Sequence, residues 1–138
     1  MYKFVDDLTS DVMFVAEGPT LEEAMLEASR ALFDVVCQRK KVEKNKSVSV
    51  RAEGEDEKDL VHEWLSELLT ESDAEETFFC EFEINLSRKD GKLVAEGEAW
   101  GEPYSQEKSE TVVKGVTYYN FHVKKTENGY KISVVVDI

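Results

Sequence analysis

Carboxylates are the groups of this chain best equipped for chemistry, and two of them stand in unusual places. Asp11 closes the polar run Asp6-Asp7-Leu8-Thr9-Ser10 and opens the apolar segment Val12 to Ala16. Asp137 follows the apolar run Val134-Val135-Val136 and precedes Ile138, whose terminal carboxylate adds a second oxygen group one residue away. If the strand that starts after Asp11 lies beside the strand that ends at Asp137, three hard oxygen ligands meet at one sheet edge. Such a donor set suits Ca2+, Mg2+ or Mn2+ and suits zinc poorly. Taken singly, each acid has a plainer reading: Asp11 as a turn residue, Asp137 as part of a solvated tail.

Other catalytic signatures are absent from the sequence. It has no nucleophile elbow, Walker loop, dinucleotide fingerprint, CxxC pair or HExxH helix. His62 and His122 are isolated and read as surface or boundary residues. Cys37 and Cys80 are too few for a disulfide framework and read as small buried residues. A hydrolase built on Asp11, Asp137 and a metal-bound water is the catalytic alternative. Binding, without catalysis, is the stronger expectation.

Charge narrows the partners. Thirty Asp and Glu face 17 Lys and Arg across 138 residues, a formal net charge of −13. That field repels phosphate backbones, so tight direct binding of RNA or DNA is not expected, and a basic protein or a cation is. The basic cluster from Arg39 to Lys46 reads as a solvated connection. Neither a signal core nor a membrane-length apolar segment is present, which points to a cytoplasmic protein; a single domain and a monomer are expected.

These groups need elements to hold them. Thr20, with Glu23 three residues on, has the form of a capping box, and Leu21, Met25, Ala28, Leu32 and Val35 then mark one helical face. Val48, Val50 and Ala52 alternate as a strand. Gly54 to Asp59 is an acidic helix entry, followed by a second amphipathic helix through Leu60, Val61, Trp64, Leu65, Leu68 and Leu69 that ends near Ser72. Phe78, Cys80, Phe82, Ile84 and Leu86 share one strand parity. Asp90-Gly91 and Asn128-Gly129 are hairpin dipeptides, and Val116 through Val123 reads as a strand between them. The predicted class is α+β: two amphipathic helices on a mixed, largely antiparallel sheet, in the order β-α-β-α-β-β-β-β.

At these residues the chain resembles the archease family along nearly its whole length. The resemblance rests on Thr9-Ser10-Asp11-Val12, Thr20-Leu21-Glu22-Glu23-Ala24, Ala31-Leu32-Phe33-Asp34, Trp64-Leu65-Ser66-Glu67-Leu68-Leu69, Gly101-Glu102-Pro103, Val113-Lys114-Gly115-Val116-Thr117-Tyr118 and Val136-Asp137-Ile138. It implies an accessory factor that promotes guanylylation and multiple turnover of the RtcB-type tRNA-splicing ligase. The alternative it implies is a metal-independent, chaperone-like modulator of a tRNA cytosine methyltransferase, using surfaces at Trp64 and Trp100. It further implies a divalent cation, calcium first, held by Asp11, Asp137 and Ile138, and partner contacts at Lys114 and Tyr118. Leu8 and Tyr119 stand where the family has histidines, and Ser10 stands for an alanine, so two imidazoles are missing from the neighbourhood of the implied site.

Overall fold

Thr20 starts the first helix as its position predicts. Its hydroxyl accepts the Glu23 N–H at 3.1 Å, which is half of the expected box. A computed structural model describes residues 1–5 and 11–138. Within them the elements run β1 (Tyr2–Val5), β2 (Asp11–Gly18), α1 (Leu21–Val36), β3 (Lys46–Gly54), α2 (Glu57–Ala74), β4 (Thr77–Lys89), β5 (Lys92–Pro103), β6 (Gly115–Val116), β7 (His122–Thr126) and β8 (Gly129–Asp137). The class is α+β. Asp6 to Ser10 lie outside the described residues, and with them Leu8, Thr9 and Ser10 of the first motif.

The strands divide into two antiparallel sheets where the sequence pointed to one. β8 is central in the first, flanked by β2 on one side and by β6 and β7 on the other, with β1 outside β2. The second sheet has the order β3-β5-β4. α1 packs on β2 and β8 of the first sheet and on β4 of the second. α2 covers β3 and reaches β6 and β7. The helices therefore join the two sheets through one shared core.

All five residues of the predicted α1 stripe are buried, and so are Leu60, Val61, Trp64, Leu65 and Leu68 of α2. Ala24, Ala28 and Ala31 bring α1 close to its neighbours, and Trp64 fills the space between the helices. The Trp64 indole donates to Ser29 Oγ at 3.0 Å, and Ser29 in turn donates to the Met25 carbonyl at 2.7 Å. Buried polar atoms are thus matched at the centre of the core.

Four local expectations need correction. β4 carries a bulge between Phe79 and Glu81, which turns Phe79 onto Phe33 at 5.4 Å and leaves Phe78 to pack on Tyr104 at 4.6 Å. The second hairpin turns at Glu127 and Asn128, because Thr126 already pairs with Gly129. Gly129 has φ 143°, and a Cβ there would meet the Gly18 carbonyl at 2.1 Å, so close approach to β2 sets the glycine's position. The segment expected as one strand from Val116 to Val123 is broken between β6 and β7 by a turn with Asn120 at φ 51°. Arg39 is not a solvated loop cation: its guanidinium is mostly buried, pairs with Asp34 at 2.8 Å and donates to the Cys80 carbonyl.

Candidate functional site

β2 and β8 pair residue for residue from Gly18↔Tyr130 to Asp11↔Asp137. Directly opposed residues on an antiparallel pair point to the same face, with Cβ atoms about 4.5–5.5 Å apart. The condition attached to the two aspartates is therefore met: Asp11 and Asp137 are cross-strand partners. Gly115 of β6 pairs with Asp137 from the other side, and the Lys114 amide donates to the Asp137 carbonyl at 2.7 Å. Ile138 packs its side chain against the core, which fixes the main chain beside Asp137. Asp11 is half-buried and Asp137 exposed.

Two like charges in opposed positions repel. Among the described residues, no ion pair engages either carboxylate. The donors fit a hard cation in type: carboxylate oxygens and adjacent main-chain carbonyls, with no thiolate or imidazole. They do not make a complete cage. No group of three His, Cys, Asp or Glu side chains is gathered for a metal among the described residues. The remaining positions of a six- to eight-coordinate ion would fall to main-chain oxygens and water, at roughly 2.3–2.6 Å for calcium.

Lys114 and Tyr118 bracket β6 on the same edge, and both are exposed. Tyr118 is 59% exposed on one side and lies flat on His62 on the other, with ring centroids 3.8 Å apart and planes 11° from parallel. Burial against the helix raises the Tyr118 phenol above its ordinary value, and the negative charges of Glu63 and Asp59 raise it further. His62 is not the surface or boundary residue expected. It is 7% exposed, its Nε2 lies 2.9 Å from the Val116 carbonyl, and its Nδ1 has no partner among the described residues. Periodicity put His62 beside the apolar stripe of α2. What encloses it is the turn after β6, distant in sequence.

Sequence reasoning missed a groove of about 820 Å³ between the C-terminal half of α2 and residues 104–114, lined by Leu69, Ser72, Phe78, Tyr104, Val113 and Lys114. Trp64, expected at a surface for the methyltransferase reading, is fully buried, and Lys44 lies over the half-buried Trp100 ring at 5.0 Å. Cys37 and Cys80 are buried and unbridged, as expected, and burial pushes the Cys37 thiol up to about 12. No helix of the described residues is long and apolar enough to cross a membrane.

Comparison with known proteins addresses the family and the fold. The model of the "Archease protein family (MTH1598/TM1083)" matches residues 2–138. The archease of Pyrococcus furiosus is 36% identical over 133 residues, covering 94% of each chain. That of Methanosarcina barkeri is 35% identical over 140 residues, covering 99% of this chain and 95% of its own. The solution structure of Methanobacterium thermoautotrophicum protein 1598 superposes with a TM-score of 0.83 at 28% identity, over 99% of this chain and 98% of that one. The fold is also that of a Thermotoga maritima protein described as an "archease, possible chaperone", with a TM-score of 0.63 at 16% identity and coverage of 97% and 95%. A family match from the second residue to the last, with relatives this similar over almost their full lengths, makes the chain a member of the archease family.

Proposed function

We propose that this protein is a non-enzymatic accessory factor that activates an RtcB-type tRNA-splicing ligase, promoting its guanylylation and so its multiple turnover. Family membership supports the class of function, and one observation carries the site: Asp11 and Asp137 are opposed across β2 and β8. Asp11, Asp137 and the main-chain oxygen of Ile138 would hold a divalent cation, calcium before magnesium or manganese. A cation there supplies positive charge at an otherwise acidic edge, where nucleotide phosphates would meet a chain of net charge −13.

The protein's own groups do the positioning. The β2–β8 ladder fixes the spacing of the two carboxylates, and the Lys114 amide anchors the main chain at Asp137. The Lys114 ammonium and the exposed Tyr118 ring flank this edge as partner contacts. Lys114 offers a point charge for an acidic group or a phosphate.

The test is ligase guanylylation measured with and without this protein. The wild type accelerates the reaction with its cognate ligase, and Asp11→Asn and Asp137→Asn lose that acceleration while remaining folded. An unchanged rate with the wild type removes the proposal. Acceleration that survives both substitutions removes the cation from it.

A further inference from the structure

A row of acids, Glu63 exposed and Asp59, Glu67 and Glu71 half-buried, runs along α2 beside Tyr118. Asp59, Glu63, Glu67 and Glu71 follow one another at every fourth residue, which places them in one row about 18 Å long at 1.5 Å per residue. No ion pair among the described residues engages any of them. On the β3-β5-β4 sheet several carboxylates have cations at hand, Glu53 with Arg51, Glu81 with Arg30 and Glu96 with Lys89, while Glu83 and Glu98 have none among the described residues. At the N-terminal end of the row stands an aromatic platform. Tyr118 rests on the buried His62, Tyr119 beside it is 69% exposed, and Phe121, fully buried, anchors the turn that carries both. The Thr117 amide ties this turn to the Val135 carbonyl at 3.0 Å, so the platform is fixed to the central strand.

We infer that Tyr118, backed by His62 and bordered by Asp59 and Glu63, is the docking site for an arginine-bearing basic segment of another protein. A guanidinium can lie flat on the open face of the ring while its N–H groups reach the carboxylates, a combination that an ammonium fits less well. The alternatives meet opposing physics. Nucleic-acid phosphates are repelled by the carboxylate row, a second copy of the chain would set like charge against like, and an apolar segment would desolvate the acids without compensation. The raised Tyr118 phenol agrees with the nearness of Glu63 and Asp59. This inference gives a chemistry to the Tyr118 partner contact and in that respect rests on the proposed function, but it concerns a surface distinct from the Asp11–Asp137 pair.

The probe is a synthetic peptide with arginines at every fourth position, titrated into the full-length protein and followed by NMR, with a lysine version alongside. Shifts are expected to centre on Tyr118, Tyr119 and the His62 ring, with the arginine peptide tighter than the lysine one. Tyr118→Ala weakens the arginine peptide roughly two- to fivefold, the scale of an exposed cation–π contact. Glu63→Lys, an exposed change away from the core, weakens it in the same direction and covers the case in which the tyrosine variant misfolds. Shifts centred on the sheet face around Glu83 and Glu98, or wild-type affinity in both folded variants, overturn the inference. A titration with an RtcB-type ligase separates the two readings. Ligase binding that both variants leave intact overturns the docking site, whereas peptide binding at Tyr118 with no ligase binding overturns only the ligase as partner.

Discussion

At the scale of single residues, the core depends on a few polar atoms being matched. Trp64 is the largest fully buried side chain, and its indole N–H has Ser29 Oγ as its partner. Ser29→Ala leaves that donor unsatisfied in a dry environment, at a cost of about 1–3 kcal/mol. Chemical denaturation measures the loss, which should come as a lower midpoint with an unchanged slope. Ser29→Cys, which keeps a weak acceptor at the position, should lose less. The aspartates behave differently. They contribute little to packing at the sheet edge and are opposed like charges, so Asp137→Asn should leave stability equal or slightly improved in the absence of divalent ions. With calcium in excess the order reverses: the wild type should gain about 2.7 kcal/mol when free calcium is about 100 times its Kd, and the variant nothing. Thermal melts with calcium and with chelator decide it. Equal melting temperatures for the wild type under both conditions would remove calcium from the site.

At the scale of elements, α2 keeps an internal conflict. Like charges four residues apart on a helix cost roughly 0.2–0.5 kcal/mol per pair. Glu67 lies in the middle of the row. Burial holds its carboxyl above the ordinary 4.5, and Glu71 and Glu63 add to the shift. The folded chain therefore binds this proton more tightly than the unfolded chain. The resulting stability is fully present below the ordinary carboxyl value and is lost as pH rises through the raised one. Glu67→Gln should remove that dependence and stabilise the protein at neutral pH by a few tenths of a kcal/mol, about the cost of the pairs it relieves. Urea titrations at pH 4, 5.5 and 7 measure both effects, and a variant less stable than wild type at pH 7 contradicts the argument.

Both helices were legible in the sequence because their apolar spacing and entry residues act locally. Asp90-Gly91 was legible for the same reason: both residues take positive φ, 51° and 79°, as a two-residue hairpin requires. What local pattern could not supply were events decided by distant neighbours. Gly129 answers to the Gly18 carbonyl and not to its own turn, and the apolar residues from Val116 to Val123 imitate a strand although Tyr118 leaves it for His62. β1 is short and lacks a flanking signal of its own. It is held by the ladder to β2 and by the Tyr2 hydroxyl donating to Asp34.

At the scale of the whole molecule, the division into two sheets was hidden because pairing between strands far apart in sequence leaves no periodic trace. The meeting of Asp11 with Asp137 was open to reasoning only as a condition on which strands were neighbours, and the β2–β8 ladder fulfils it. β2, β6 and β7 each wait on β8, which lies between β2 and the β6–β7 edge. During synthesis that strand leaves the ribosome after all its partners, so the earlier strands have an open seam until it arrives. A chain stopped short of β8 has no aspartate opposite Asp11, no strand for Lys114 to bond and no support under the turn that carries Tyr118. The carboxylate pair, the Lys114 bond and the footing of the Tyr118 turn thus share one late strand, and a change that loosens β8 disturbs all three together.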